Sequence, residues 1–448
     1  MGASAGMTAE GRALNAPLAA RLLVGRVPFH YGWVVLGCVW CAGFARQGPA
    51  VATLSVFFAP MMAEFGWTSA EISGAVALGG LLAAFATPML GPVLDRRGAR
   101  LILCLAVGTT GVAALLLSQV GSLLQFYLLF CIARMNFAGP FDLGIYGAVS
   151  NWFVARRRLA TAIATSGHTA GMIAMPLLVA WAVAGGSFLG LEGWRAGWAA
   201  VGAAVLALGV PIWLLTVRRP EDVGLLPDRA AGGAAAGGAP EPRFTRAQAL
   251  RTPTFWCLAA FTMLVFPVQA GVSLHQAPHM IERGIDPALA AAAVSSFGLA
   301  VGIGGFAVGF LPRQVPVGAA LALPAVLLSA SAALMTTVTA PAMGFAAAML
   351  FGLGFGGVVT LLPVAWADSF GRTSFGAIRG VALTLQVLAQ AGGPMLSGLL
   401  HDITGDYVAS LASFSGFAGL AVVVALLLRR PKPAAEAAED GPAPARVA

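Results

Sequence analysis

The sequence predicts an all-α membrane protein of twelve transmembrane helices arranged as two pseudo-symmetric six-helix halves. Three observations carry that expectation. The 448 residues are 58% hydrophobic and 10% charged, against about 25% charged in soluble domains. A bilayer span needs about 20 apolar residues, and windows of that length fall at twelve places. The second half also repeats landmarks of the first. Asn151-Trp152-Phe153 runs through Gly171 to Pro176, and Asp368-Ser369-Phe370 runs through Gly392-Gly393 to Pro394; the Phe-to-Pro intervals are 23 and 24 residues.

Taken in order, the expected spans are 31–59, 70–91, 100–119, 122–150, 160–186, 194–217, 253–275, 287–311, 316–337, 341–367, 376–400 and 408–428. They divide the chain into a lead-in (1–30), a first half (31–217), a linker (218–252), a second half (253–428) and a tail (429–448). The linker is rich in Ala, Gly, Pro and Arg and holds the low-complexity run Ala230–Pro240, the composition of a tether. No cleavable signal peptide is expected before span one.

Charge sets the orientation. Of 26 Arg and Lys, 22 fall in segments on one side of the twelve spans and only Arg195 and Arg283 on the other. By the positive-inside rule both termini are expected in the cytoplasm. The net charge of +8 therefore reflects topology, and no basic stripe for nucleic acid is present. The five cysteines all lie in apolar runs. Cys38-x-x-Cys41 has the spacing of a zinc or redox pair, but no second pair completes a site, so packing is the expected role. No G-x-x-x-x-G-K-[ST] phosphate loop occurs, no nucleophile–base or metal constellation appears, and no cofactor is expected.

Between spans two and three lies Gly91-Pro92-Val93-Leu94-Asp95-Arg96-Arg97-Gly98-Ala99-Arg100. A glycine, an acid four residues on, and a basic cluster around a second glycine read as a tight polar turn at a membrane surface. The pattern G-x-x-x-D-R-x-G-x-R resembles the loop between helices 2 and 3 of the major facilitator superfamily. That resemblance implies a cytoplasmic gate made of Gly91, Asp95, Arg96, Gly98 and Arg100, locking against the start of span eleven when the cavity opens outward. The corresponding stretch of the second half, Gly309-Phe310-Leu311-Pro312-Arg313, is shorter and has no acid, so the gate is expected to be asymmetric.

Two further stretches narrow the resemblance. Tyr31-Gly32-Trp33-Val34-Val35 with Glu64-Phe65-Gly66-Trp67-Thr68, and Trp152-Phe153-Val154-Ala155-Arg156-Arg157-Arg158-Leu159-Ala160 leading to Gly167 and Gly171, are similar to the monocarboxylate transporters and bacterial oxalate/formate exchangers. The implied activity is secondary transport of a small organic anion by alternating access, with a proton or by exchange. The implied setting is a plasma membrane, read as a bacterial inner membrane from the Ala- and Arg-heavy composition, with a monomer as the functional unit. One departure stands out. Relatives place a cation within span eight or eleven; here span eight has no charge, and the basic residue of span eleven, Arg379, lies at its cytoplasmic end. The usual second-half cation is therefore expected to be missing.

Ionisable side chains inside spans are costly and mark function by default. Arg46, mid-span in span one, is the leading candidate for a substrate carboxylate, because guanidinium offers a planar two-pronged donor; the alternative is a structural pairing with Asp142 or carbonyl groups. Arg134 and Asp142 share span four. On one continuous helix they stand about 12 Å apart along the axis and about 80° round it, too far to pair directly. Asp142 is the candidate proton-coupling residue, or a fixed partner of Arg46 or Arg134. Tyr146, one turn on, could orient substrate. In the second half Gln269 with Ser273, and Gln386 with Gln390, offer uncharged polar groups to the ligand or to neighbouring helices. His168 in span five reads as packing or as a functional site, and the His275/His279 pair lacks a third metal ligand. Efflux of uncharged or cationic compounds, and a non-transporting sensor or scaffold, are the competing functions.

Overall fold

A computed structural model of the protein describes residues 17–228, 242–312, 314–429 and 431. Arg12, Arg313 and the Ala230–Pro240 run lie outside the described residues.

Twelve spans are present among the described residues. Ten are long apolar stretches: Glu71–Arg97, Ala99–Leu117, Leu123–Trp152, Arg157–Val183, Gly193–Leu215, Pro253–Glu282, Pro287–Gly309, Val317–Thr336, Pro341–Phe370 and Val408–Leu426. Span one is split into Gly32–Ala45 and Val51–Phe65, and span eleven is Phe375–Thr404. Local chemistry sets their ends. Thr68 and Glu71 close a reciprocal capping box before span two. Asp286 accepts the Ala288 and Leu289 amides before span eight, ahead of Pro287. On span two an exposed apolar stripe of Leu78, Leu82, Phe85 and Met89 follows the helical period, as a lipid-facing side requires.

Two spans of the first half are broken at mid-course. Span one stops at Ala45 and restarts at Val51, across Gly48-Pro49. Span four breaks at Gly139 (φ −123°, ψ −81°), directly before Pro140, which has no N–H to give. A side chain at Gly139 would sit 2.6 Å from Thr87 Oγ1. The continuous-helix spacing of Arg134 and Asp142 is therefore corrected: the break re-aims everything after residue 139.

One face carries the start of span one and the end of span twelve; we term it the terminal face. Here the expected polar turn at 91–100 is also corrected. Helix continues through Gly91, Asp95, Arg96 and Arg97 and turns only at Gly98 (φ +84°), where Arg218 lies against the bare backbone. Gly91 serves a different purpose from a turn. A side chain there would overlap the Gly376 carbonyl, so spans two and eleven meet backbone to backbone. One helical turn on, Asp95 caps span eleven: Oδ1 accepts the Gly376 amide at 2.7 Å and Oδ2 the Ala377 amide at 2.8 Å.

The pseudo-equivalent crossing of spans five and eight uses the opposite polarity. Arg158 donates to the carbonyls of Leu311 (3.4 Å), Pro312 (2.6 Å) and Val315 (2.8 Å). Arg157 also pairs with Asp368 of span ten. The first stretch of the linker, Arg218–Asp228, is docked on this face. Asp222 chelates Arg218 through two bonds of 2.8 Å and raises its pKa above the ordinary arginine value. Glu221 takes Arg372 at 2.6 Å. The Asp228 carboxylate accepts the amides of Val154, Ala155 and Arg156.

Candidate functional site

The breaks of spans one and four lie beside the charged residues of the membrane interior. Arg46 is the capping residue at the end of the first segment of span one. Asp142 is in the first turn of the second segment of span four, where the helix dipole favours a negative charge. They face each other with Arg46 Nη1 3.6 Å from Asp142 Oδ2.

A third charge joins them from the other half. Arg379 is the fifth residue of span eleven and only 2% exposed. Its Nη2 lies 3.3 Å from Asp142 Oδ1 and 3.2 Å from Gln386 Oε1. The expectation that the second half supplies no cation is overturned. The sequence places Arg379 at the cytoplasmic end of span eleven; in the fold that end packs against span two, and the side chain is directed inward. Its spacing of seven from Gln386, two helical turns, was the available signal.

Arg134 makes no ion pair with Asp142. Its guanidinium carbon lies 4.3 Å from the centroid of the Phe137 ring, and that of Arg46 lies 4.7 Å from the same centroid. Next to Arg46, Gln47 pairs with His168 Nδ1 at 2.6 Å, and Trp40 donates to Ser166 at 3.1 Å. His168 thus belongs to the shell around Arg46.

The remaining candidates take other places. Tyr146 is buried, and its hydroxyl reaches the Val359 carbonyl of span ten at 3.4 Å. Gln386 serves Arg379. Gln269 accepts from Gln390 at 2.8 Å and donates to Ser273 at 3.4 Å, a link between spans seven and eleven that does not bond the arginines. His275 and His279 turn to Tyr407, with ring centroids 5.0 and 6.4 Å away, and among the described residues no group of three metal-ligating side chains forms.

The electrostatics are uneven. Arg46 and Arg379 flank the buried Asp142 carboxylate, and Arg134 shares the Phe137 ring with Arg46. Arg46 Nε, Arg134 Nε and Nη1, and Arg379 Nε and Nη1 are buried with no hydrogen-bond acceptor among the described residues. A buried donor left unpaired costs about 1–3 kcal/mol, more when charged. Such a cluster is chemically suited to an anion that supplies the missing acceptors and charge.

Comparison with known proteins agrees with this architecture. The model of the Major Facilitator Superfamily matches residues 35–394, and the chain belongs to that family of membrane transporters. It is similar to monocarboxylate transporter 13 of Bos taurus, 27% identical over 410 residues that cover 88% of this chain and 89% of that one. The Rattus norvegicus protein of the same name is 26% identical over 413 residues, with the same coverage. Among solved structures, the E. coli fucose:proton symporter superposes with a TM-score of 0.69 at 12% identity, covering 90% of this chain and all of that one. A human organic anion transporter superposes at 0.67 and 14%, covering 88% and 99%. At these identities the structures speak for the fold alone.

Proposed function

We propose that the protein is a secondary transporter of a small organic carboxylate anion, working by alternating access between its two halves. The observation that carries this reading is the set of five guanidinium nitrogens of Arg46, Arg134 and Arg379 that have no acceptor among the described residues, with Arg46 and Arg379 meeting at Asp142. A carboxylate satisfies such donors two at a time, and the pairing gains strength in a dry interior. The names of the monocarboxylate transporter relatives support the same class.

Arg46 and Arg379 come from opposite halves, so an anion held between them joins the halves as it binds. Asp142 already occupies part of both arginines. In this reading it is a resident carboxylate that the substrate displaces, and proton uptake by Asp142 frees the two cations for the incoming anion. Such an exchange couples one proton to one carboxylate. Gly91 and Asp95 form the gate against span eleven, while Arg96, Gly98 and Arg100 of the same motif meet Arg218 and Trp213 instead; the terminal face lies in the cytoplasm, and a monomer in the plasma membrane is the working unit.

The test is thermal stabilisation of the purified protein by sodium salts of pyruvate, benzoate and oxalate, repeated on Arg46→Ala and Arg379→Ala. A ligand of the native state raises apparent stability by RT ln(1 + [L]/Kd). Stabilisation by one of these anions that is lost in both variants supports the reading. Stabilisation only by neutral or cationic compounds sinks it.

A further inference from the structure

The two first-half arginines share a ring, and that ring has no assigned role. Phe137 is half-buried, three residues after Arg134 on the same face of span four and two residues before the Gly139 break. The Arg134 guanidinium carbon is 4.3 Å from its centroid and that of Arg46, arriving from span one, 4.7 Å. Both are well inside the roughly 6 Å over which a ring's quadrupole attracts a cation. The Arg134 stem is fixed at its other end, because Gly79 of span two gives it room: a Cβ at Gly79 would sit 2.6 Å from Arg134 Cβ. Arg134 is thus held at its stem by bare backbone and at its head by Phe137, with Nε and Nη1 left without acceptors.

We infer that Phe137 is a positioning residue of the anion site, holding the Arg46 and Arg134 guanidiniums at a set separation so that the anion held by Arg46 and Arg379 also meets Arg134. The inference rests on the carboxylate reading above. Its physical basis is that two buried like charges repel, and a carboxylate between them is the natural remedy only when they stay close. Asp142 does not serve both, since it pairs with Arg46 and not with Arg134. The electron-rich ring attracts each cation without consuming its N–H donors, which therefore stay available to the ligand. An aliphatic side chain of similar volume fills the space but removes that attraction.

The experiment replaces Phe137 with its mono-, di- and trifluorinated analogues. These are near-isosteric, so the fold is retained, but each fluorine weakens the ring's quadrupole. Binding of sodium pyruvate, benzoate and oxalate is followed by thermal shift, and Phe137→Tyr and Phe137→Leu are measured alongside. The expected result is a stepwise fall in affinity with each fluorine, about tenfold at the trifluoro stage, with Tyr close to wild type and Leu as weak as the trifluoro analogue. Equal affinity across the fluorinated series overturns the inference while leaving the carboxylate reading in place. Failure of all three anions to stabilise the unmodified protein overturns both.

Discussion

Asp142 of the first half and Arg379 of the second are in direct contact, 3.3 Å between Oδ1 and Nη2. With Arg46 on its other oxygen, 3.6 Å away, Asp142 is the shared counter-charge of cations from both halves. Removing one member of a buried ion pair leaves an uncompensated charge at a cost of about 3–5 kcal/mol. Arg379→Met and Asp142→Asn should each lower the melting temperature, and their combination should cost clearly less than the two effects added. A double-mutant cycle on melting temperature checks the coupling.

Transport and coupling should separate at Asp142. With the carboxylate replaced by an amide, the proton-linked step has no carrier, whereas exchange of one anion for another needs none. Asp142→Asn in proteoliposomes should lose uptake driven by a pH gradient and keep counterflow. Gradient-driven uptake at the wild-type rate would show that coupling lies elsewhere.

Asp95 caps span eleven through two charge-assisted bonds, each worth about 1.5–3 kcal/mol. Asp95→Ala should therefore open the terminal face. Ser150, buried beneath it, offers a reporter. A cysteine at 150 in a background free of other cysteines should react faster with a membrane-impermeant maleimide in inside-out vesicles once Asp95 is removed. An unchanged labelling rate would mean that the cap does not hold the face closed.

Gly91 and Gly376 press backbone against backbone, so a leucine at either position cannot be accommodated without separating spans two and eleven. Gly91→Leu should insert into the membrane normally and lose at least about fivefold in uptake, the loss expected when overpacking costs about 1–3 kcal/mol in one of two alternating states. Uptake relative to the amount of protein in the membrane is the measurement.

Tyr146 offers a contrast. Its hydroxyl reaches a backbone carbonyl at 3.4 Å, a long bond of modest value. Tyr146→Phe should change apparent substrate affinity less than threefold, since about 0.5 kcal/mol is at stake. A loss of tenfold or more would place this hydroxyl on the substrate.

Much of this is legible in the amino-acid sequence. Twelve spans follow from apolar windows because a bilayer demands about 20 such residues and full backbone pairing within each helix. Arg46, Arg134 and Asp142 draw attention as charges in those windows, and Gly91 and Asp95 as a spaced pair near a span's end. What the windows hide are interruptions: Gly48-Pro49 and Gly139-Pro140 sit in runs apolar enough to read as continuous. They also hide burial at helix ends. Arg379 lies in the first two turns of its span, where sequence alone suggests an end at the cytoplasmic surface.

The amino-acid sequence by itself determined the fold class, the span boundaries to within several residues and the presence of costly charges in the interior. These are properties of each segment against its solvent, and hydropathy is local. Only the tertiary structure decided which charges meet. Asp142 and Arg379 are separated by 237 positions, and their contact depends on a break at Gly139 and on spans two and eleven closing at Gly91 and Gly376. Pairing across two halves is set by how packed helices cross, and no local pattern along the chain encodes it.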